Sequence, residues 1–257
     1  PQRRLAEDGL RAGRAVRFAA GLGLAIDPAT DRAIAALGGD LAGISCERFG
    51  QELRRILAHP SRGAAVELIE RWGLDAAMLG SHRRSDHRRV AGLPSDATFE
   101  AAMAAWLLDR AAGAGSSAIA ADLQPRIGLS NAERDGISAI LRVHGQLAAG
   151  WESASVAVRR RLAMEEAFEP ARSILGLEDP ATAGRIETDL ASFGPDRKPV
   201  RWIRGQALLD AGVRPGPGLG RVLESTYDAQ LEGRVATPAE ALRLALRLAA
   251  DETESGP

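Results

Sequence analysis

Apolar residues recur in this chain at helical spacing, and no segment alternates with the period of a strand for long enough to compete with that pattern. Phe49, Leu53, Ile56 and Leu57 form one stripe, Val66, Ile69 and Trp72 a second, Met103, Trp106 and Leu107 a third, and Ile137, Ile140 and Leu141 a fourth. Spacings of three and four put each set on one face of a helix, and that face needs a neighbour to cover it. The expected fold is all-α, many helices with no sizeable sheet. With 257 residues, 45% of them hydrophobic and only 4% aromatic, the core is built mainly from aliphatic side chains.

Several chemistries drop out early. The one cysteine, Cys46, excludes a disulfide framework and a cysteine zinc site. No signal peptide or membrane-length apolar run is present, so the expected setting is a reducing cytoplasm with no membrane partner. His59, His82, His87 and His144 are scattered and fit no zinc-hydrolase pattern. No G-x-S-x-G elbow occurs, and Gly216-Pro217-Gly218-Leu219-Gly220 lacks the lysine and the preceding strand of a phosphate-cradling loop. A formal net charge of −1 means that any nucleic-acid contact must come from local patches.

The most specific segment lies near the start: Glu7-Asp8-Gly9-Leu10-Arg11-Ala12-Gly13-Arg14-Ala15-Val16-Arg17-Phe18. On one continuous helix, Asp8, Arg11 and Arg14 follow each other at one-turn intervals and converge on one small ligand. A carboxylate that only accepts, beside a guanidinium that only donates, complements the amino group and ring nitrogen shared by the Watson–Crick edges of cytosine and adenine. Uracil and guanine set a carbonyl against the aspartate, a mismatch of roughly 1–3 kcal/mol. A solvated face of ordinary ion pairs explains the same charges if no base is read.

These residues resemble the E-D-x-x-R and R-x-x-R-F motifs of the class II CCA-adding enzymes and the related bacterial poly(A) polymerases, which are tRNA nucleotidyltransferases. The resemblance implies that Asp8 and Arg11 select CTP and ATP, with Glu7, Arg14 and Arg17 beside them helping to hold the nucleotide. Gly9 stands where the family commonly has Pro or Ala. Gly13 loosens the helix by about 1 kcal/mol relative to Ala, so the helix is expected to lean on its neighbours.

A second resemblance is Ile44-Ser45-Cys46-Glu47-Arg48-Phe49 with Glu52-Leu53 and Ile56-Leu57, similar to the family's I-S-x-E-R-x-x-x-E-L segment. It reads as a capped helix with a structural role, Ser45 accepting first-turn amides and Pro60 closing the run. The third runs from Gly205 through Gly212, Arg214, Pro215, Gly216, Pro217, Gly218 and Gly220, then from Ala229 to Thr237, and resembles the family's tail, which grips the tRNA elbow. One helix ends at Gly212, another starts after the prolines, and Thr237, Pro238 and Glu240 open the last. Arg214, Gly216 and Gly218 are candidate RNA contacts at a helix start; a plain helix-to-helix turn accounts for them equally.

Between these lie a helix from Gly63 to Leu79, a basic segment Ser81-His82-Arg83-Arg84-Ser85-Asp86-His87-Arg88-Arg89 expected as a mobile solvated loop able to touch tRNA phosphates, and a helix from Thr98 to Ala112. A capping box at Ser130 and Glu133, helical patterns over Val156–Leu175 and Arg185–Phe193, and a hinge over Gly194–Pro199 follow. The resemblance divides the chain into a neck (1–95), a helical body (96–195) and a tail (196–257). The family's catalytic head carries a G-S motif and D-x-D carboxylates that bind Mg²⁺. Here no D-x-D occurs, and Gly115-Ser116 reads as a loop. A fragment of a longer protein is the expectation, one that is inactive alone, works with CTP, ATP and tRNA, and depends on an upstream or separate head. A poly(A) polymerase and a non-catalytic RNA-binding helical module are the alternatives.

Overall fold

The structure is a computed structural model that describes residues 2–37, 45–110, 116–194 and 199–254. The described residues form helices and turns without strands, as expected. They group into two compact units, one of residues 1–149 and 167–185, the other of residues 150–166 and 186–257.

In the first unit, α1 (Gln2–Glu7), α2 (Leu10–Leu22), α3 (Pro28–Ala35), α4 (Cys46–Leu57) and α5 (Arg62–Arg71) come first. Helix α2 packs against both α4 and α5. Ser45 Oγ accepts the Arg48 amide at 3.2 Å, which starts α4, and Phe49, Leu53, Ile56 and Leu57 are all buried. Ile44, the first residue of that motif, lies outside the described residues.

The helix expected over Gly63–Leu79 is two. Gly73, with φ of +70°, stops α5, and α6 (Asp75–Leu79) starts afresh, so that Trp72 and Leu74 are both buried at the joint. Then come α7 (Arg88–Gly92), α8 (Phe99–Arg110), α9 (Ser116–Ile127) and α10 (Asn131–Gly150). Gly50 of α4 sits so close to the end of α9 that a Cβ there falls 1.9 Å from the Ile127 carbonyl oxygen. Ser116, expected in a loop, opens α9; Gly115, like Ala111 and Ala112 of the helix expected to reach Ala112, lies outside the described residues. The α10 capping box forms in both directions: Ser130 N–H donates to Glu133 Oε2 at 2.8 Å and Glu133 N–H to Ser130 Oγ at 3.2 Å.

The pattern over Val156–Leu175 is likewise split, into α11 (Val156–Ala163) in the second unit and α12 (Phe168–Glu178) in the first. Helix α13 (Pro180–Ser192) begins in the first unit and ends in the second. Residues 195–198 of the expected hinge, Lys198 among them, lie outside the described residues. The second unit is completed by α14 (Gly205–Asp210), α15 (Pro217–Leu231) and α16 (Pro238–Glu254). Its core gathers Leu208, Val222, Ala229, Ala241 and Ala245, and the three alanines let α15 and α16 approach closely. Thr237 caps α16 by accepting the Glu240 amide at 3.2 Å, and Glu240 reaches back to the Ala236 amide.

Among the described residues no helix is long and apolar enough to cross a membrane.

Candidate nucleotide-binding site

The single helix expected across Glu7–Phe18 is interrupted. Helix α1 ends at Glu7 and α2 begins at Leu10, with Asp8 and Gly9 between them. The break has a local companion: Asp8 Oδ1 accepts the Leu10 amide at 3.1 Å, a turn bond from side chain to main chain that competes with a continuing helix, and Gly9 takes the N-cap position of α2. Asp8 therefore stands just before the start of α2, with Arg11 in the first turn.

Asp8 and Arg11 are neighbours without pairing to each other. Asp8 Oδ2 lies 3.5 Å from Arg48 Nη2, supplied by α4. Arg11 Nη1 donates to the Arg4 carbonyl at 2.7 Å and lies 3.4 Å from Glu7 Oε2. Both side chains stay open to solvent, Asp8 at 28% and Arg11 at 42% of full exposure. Neither Nε nor Nη2 of Arg11 has a partner among the described residues, so the outer edge of the guanidinium remains available as a donor.

The other expected residues divide. Glu7 closes α1, exposed, between Arg3 and Arg11. Arg14 is exposed on α2 and has no ion-pair partner among the described residues. Arg17 is committed elsewhere: its Nε donates to Glu52 Oε1 at 2.5 Å, and its guanidinium lies 4.3 Å from the Phe18 ring centre. The structure does not leave it free for a ligand as Arg14 is.

Arg48 and Glu52, which the sequence marks only as part of a structural helix, belong to this site. Glu52 lies three residues after Phe49 and one before Leu53, on the apolar stripe of α4; an acid there needs a buried partner, and that placement was its signal. Gly13 faces that acid across the contact of α2 with α4. A Cβ at Gly13 would sit 3.4 Å from both Glu52 Cγ and Phe49 Cε2, at ordinary contact distance.

In the second unit Arg214, Gly216 and Gly218 come together on the wall of a cavity of about 690 Å³, with Val213, Leu219 and Leu246. The same wall carries an ion pair between Arg221 and Glu252, and Glu252 Oε2 stands 3.0 Å from where a Gly218 Cβ would be. An acid at this place competes with a phosphate there. Gly216 has an extended backbone, and Pro217 occupies the first position of α15.

A family model described as "Probable RNA and SrmB- binding site of polymerase A" matches residues 23–79. A CCA-adding enzyme of Geobacillus stearothermophilus is 38% identical over 90 residues, 35% of this chain and 22% of that protein. One from Streptococcus pneumoniae serotype 19F (strain G54) is 28% identical over 249 residues, 95% of this chain and 61% of the relative. The structure of a Thermotoga maritima CCA-adding enzyme complexed with tRNA superposes with a TM-score of 0.67 at 18% identity, over 95% of this chain and 62% of that one. The chain is similar to the C-terminal region of class II CCA-adding enzymes. A CCA-adding enzyme in complex with ATP matches with a TM-score of 0.69 at 17% identity, over 95% of this chain and 61% of that one. The chain thus spans about three fifths of the length of the CCA-adding enzymes that it matches nearly end to end. Among the described residues, no three His, Cys, Asp or Glu side chains gather where they could hold a metal ion.

Proposed function

We propose that this chain is the base-selecting and tRNA-binding part of a CCA-adding nucleotidyltransferase, in which residues 1–95 serve as neck, 96–195 as body and 196–257 as tail. The observation that carries this reading is the pair at the start of α2: a carboxylate and a guanidinium, adjacent, half-open and not neutralising each other. The free edge of Arg11 donates to the ring nitrogen of cytosine or adenine, and Asp8 accepts from the exocyclic amino group. The bond from the Leu10 amide fixes the Asp8 carboxylate, and Arg48 lies beside it without covering it. Arg14 supplies an unpaired cation for the triphosphate. The metal-dependent step belongs to a head carrying its own carboxylates, and no step of it is assigned to residues of this chain.

The reading is tested in the protein joined to its head. Asp8→Ala is expected to relax the exclusion of UTP and GTP, raising their incorporation relative to CTP by about 10-fold or more, the equivalent of roughly 1–3 kcal/mol of discrimination. Unchanged selectivity would remove the base-reading role. The family model's description favours one second reading, a poly(A) polymerase. Product length separates the two, because CCA addition stops after three nucleotides.

A further inference from the structure

The segment Ser81–Arg89 has the densest positive charge in the sequence, and the expectation of a mobile loop is corrected by what holds it. Three buried residues outside the segment, Glu70, Asp75 and Arg110, fix its main chain. Glu70 accepts the Ser85 amide at 2.7 Å and the His87 ring at 2.8 Å. Asp75 accepts the Arg83 amide at 2.8 Å and the His82 ring at 2.8 Å. Arg110 donates to the carbonyls of Ser81 at 2.7 Å and Arg83 at 2.8 Å, and also bridges to Asp75. At the end of the segment Arg89 is held by Asp109 and Glu178.

The anchoring groups are thereby paired, and three guanidinium groups point outward. The side chains of Arg83, Arg84 and Arg88 are exposed and have no hydrogen-bond or ion-pair partner among the described residues. Arg126 of α9 adds a fourth exposed guanidinium, 3.1 Å from where a Gly80 Cβ would lie. The one acid of the segment, Asp86, accepts the Arg88 amide and neutralises none of them. Holding like charges together on a fixed main chain is unfavourable in isolation and is offset when a polyanion binds and its counterions are released.

We propose that Arg83, Arg84 and Arg88 form a preorganised phosphate-binding patch that grips the RNA backbone, independently of sequence. This rests on the reading of the chain as tRNA-binding and adds a specific surface to it, just beyond the 23–79 segment that the family model matches. RNA is favoured over an acidic protein because the patch consists of guanidinium groups, which match phosphate bidentately, and its immediate side chains offer no apolar surface for a protein partner.

The test is the binding of a tRNA transcript to the whole chain at several NaCl concentrations, comparing the Arg83→Gln/Arg84→Gln/Arg88→Gln variant with a charge-matched Arg134→Gln/Arg142→Gln/Arg172→Gln control. The anchors are main-chain bonds to groups outside the three side chains, so the variant is expected to keep its fold, checked by circular dichroism. The expected result is an affinity on the order of 10- to 100-fold lower at 0.15 M salt and a log–log salt slope about two to three units shallower, with the control near the parent. Parent-like affinity and slope in the variant would overturn the patch while leaving tRNA binding intact. No tRNA binding by the parent chain would overturn both the patch and the reading it rests on. Displacement by polyglutamate at the same charge concentration as by tRNA would overturn the RNA assignment in favour of an acidic protein.

Discussion

Glu52, only 1% exposed, holds the Arg17 guanidinium at 2.5 Å across 35 residues of sequence and so ties α4 to the helix that carries the candidate base-reading pair. The two ends of this bond are unequal. Arg17 keeps 30% of its side-chain surface in water, whereas Glu52, among the described residues, has only Arg55, at 3.3 Å, as a second cation. Arg17→Ala is therefore expected to cost about 3 kcal/mol, because it leaves a buried carboxylate with the longer of its two ion pairs, and Glu52→Gln only about 1–2 kcal/mol. Urea unfolding of the two variants checks the order; equal losses would show that Glu52 relaxes toward water.

Arg14 offers the opposite case. With no ion-pair partner among the described residues, Arg14→Ala should change stability by less than about 0.5 kcal/mol while weakening nucleotide binding in the protein joined to its head. A stability loss with unchanged nucleotide binding would assign it to the fold.

Glu133 fixes an acid limit. The Arg54 guanidinium, bonded at 2.6 Å, and the Ser130 amide and hydroxyl outweigh the opposing effect of burial and hold its carboxyl down at about 2. The folded state thus binds this proton less readily than the unfolded chain. Its contribution is present above the ordinary glutamate value of about 4.3 and is lost as the pH falls toward 2. Glu133→Gln should remove about 1–2 kcal/mol at neutral pH, allowing for solvent screening, and flatten the acid limb of stability against pH between these values.

Gly50→Ala should be severe for its size. The new Cβ meets the Ile127 carbonyl oxygen, a backbone atom, at 1.9 Å, so α9 must move away from α4. A loss of about 3 kcal/mol or more is expected by chemical denaturation.

Arg110 governs the exposure of the basic segment to proteolysis. Among the acceptors around it, Glu70 sits below its ordinary value although burial pushes it up, because the Trp106 indole, the His87 ring and the Ser85 amide all donate to it. Arg110→Ala takes the shared cation from Glu70 and Asp75, at a cost of roughly 3–5 kcal/mol, and frees the main chain at Ser81 and Arg83. Trypsin should cut the parent slowly after Arg83 and Arg84 and the variant quickly, read by mass spectrometry; equal rates would mean that the anchors do not restrain the segment.

The features legible in the sequence are those set by nearby residues. The α4 stripe, the Ser130–Glu133 box and the Thr237 cap each depend on side chains within a few positions of one another. Asp8 was readable as a candidate, yet its bond to the Leu10 amide was not, because an aspartate at that spacing suits a helix interior and a turn alike. Glu70 and Arg110, 40 residues apart, carry no local signal of their pairing, which only the fold creates. Residues Ser81–Arg89 were misjudged for the same reason: the charge was visible, the anchors were not.

The interleaving of the two units bears on how the chain is made and divided. The first unit needs residues 167–185, which follow a stretch of the second, and the second needs residues 150–166, which precede the last stretch of the first. No single break in the chain yields two whole units. During synthesis the first unit is not complete until Arg185 has emerged, so residues 150–166 must wait, already made, for partners that the ribosome has yet to add.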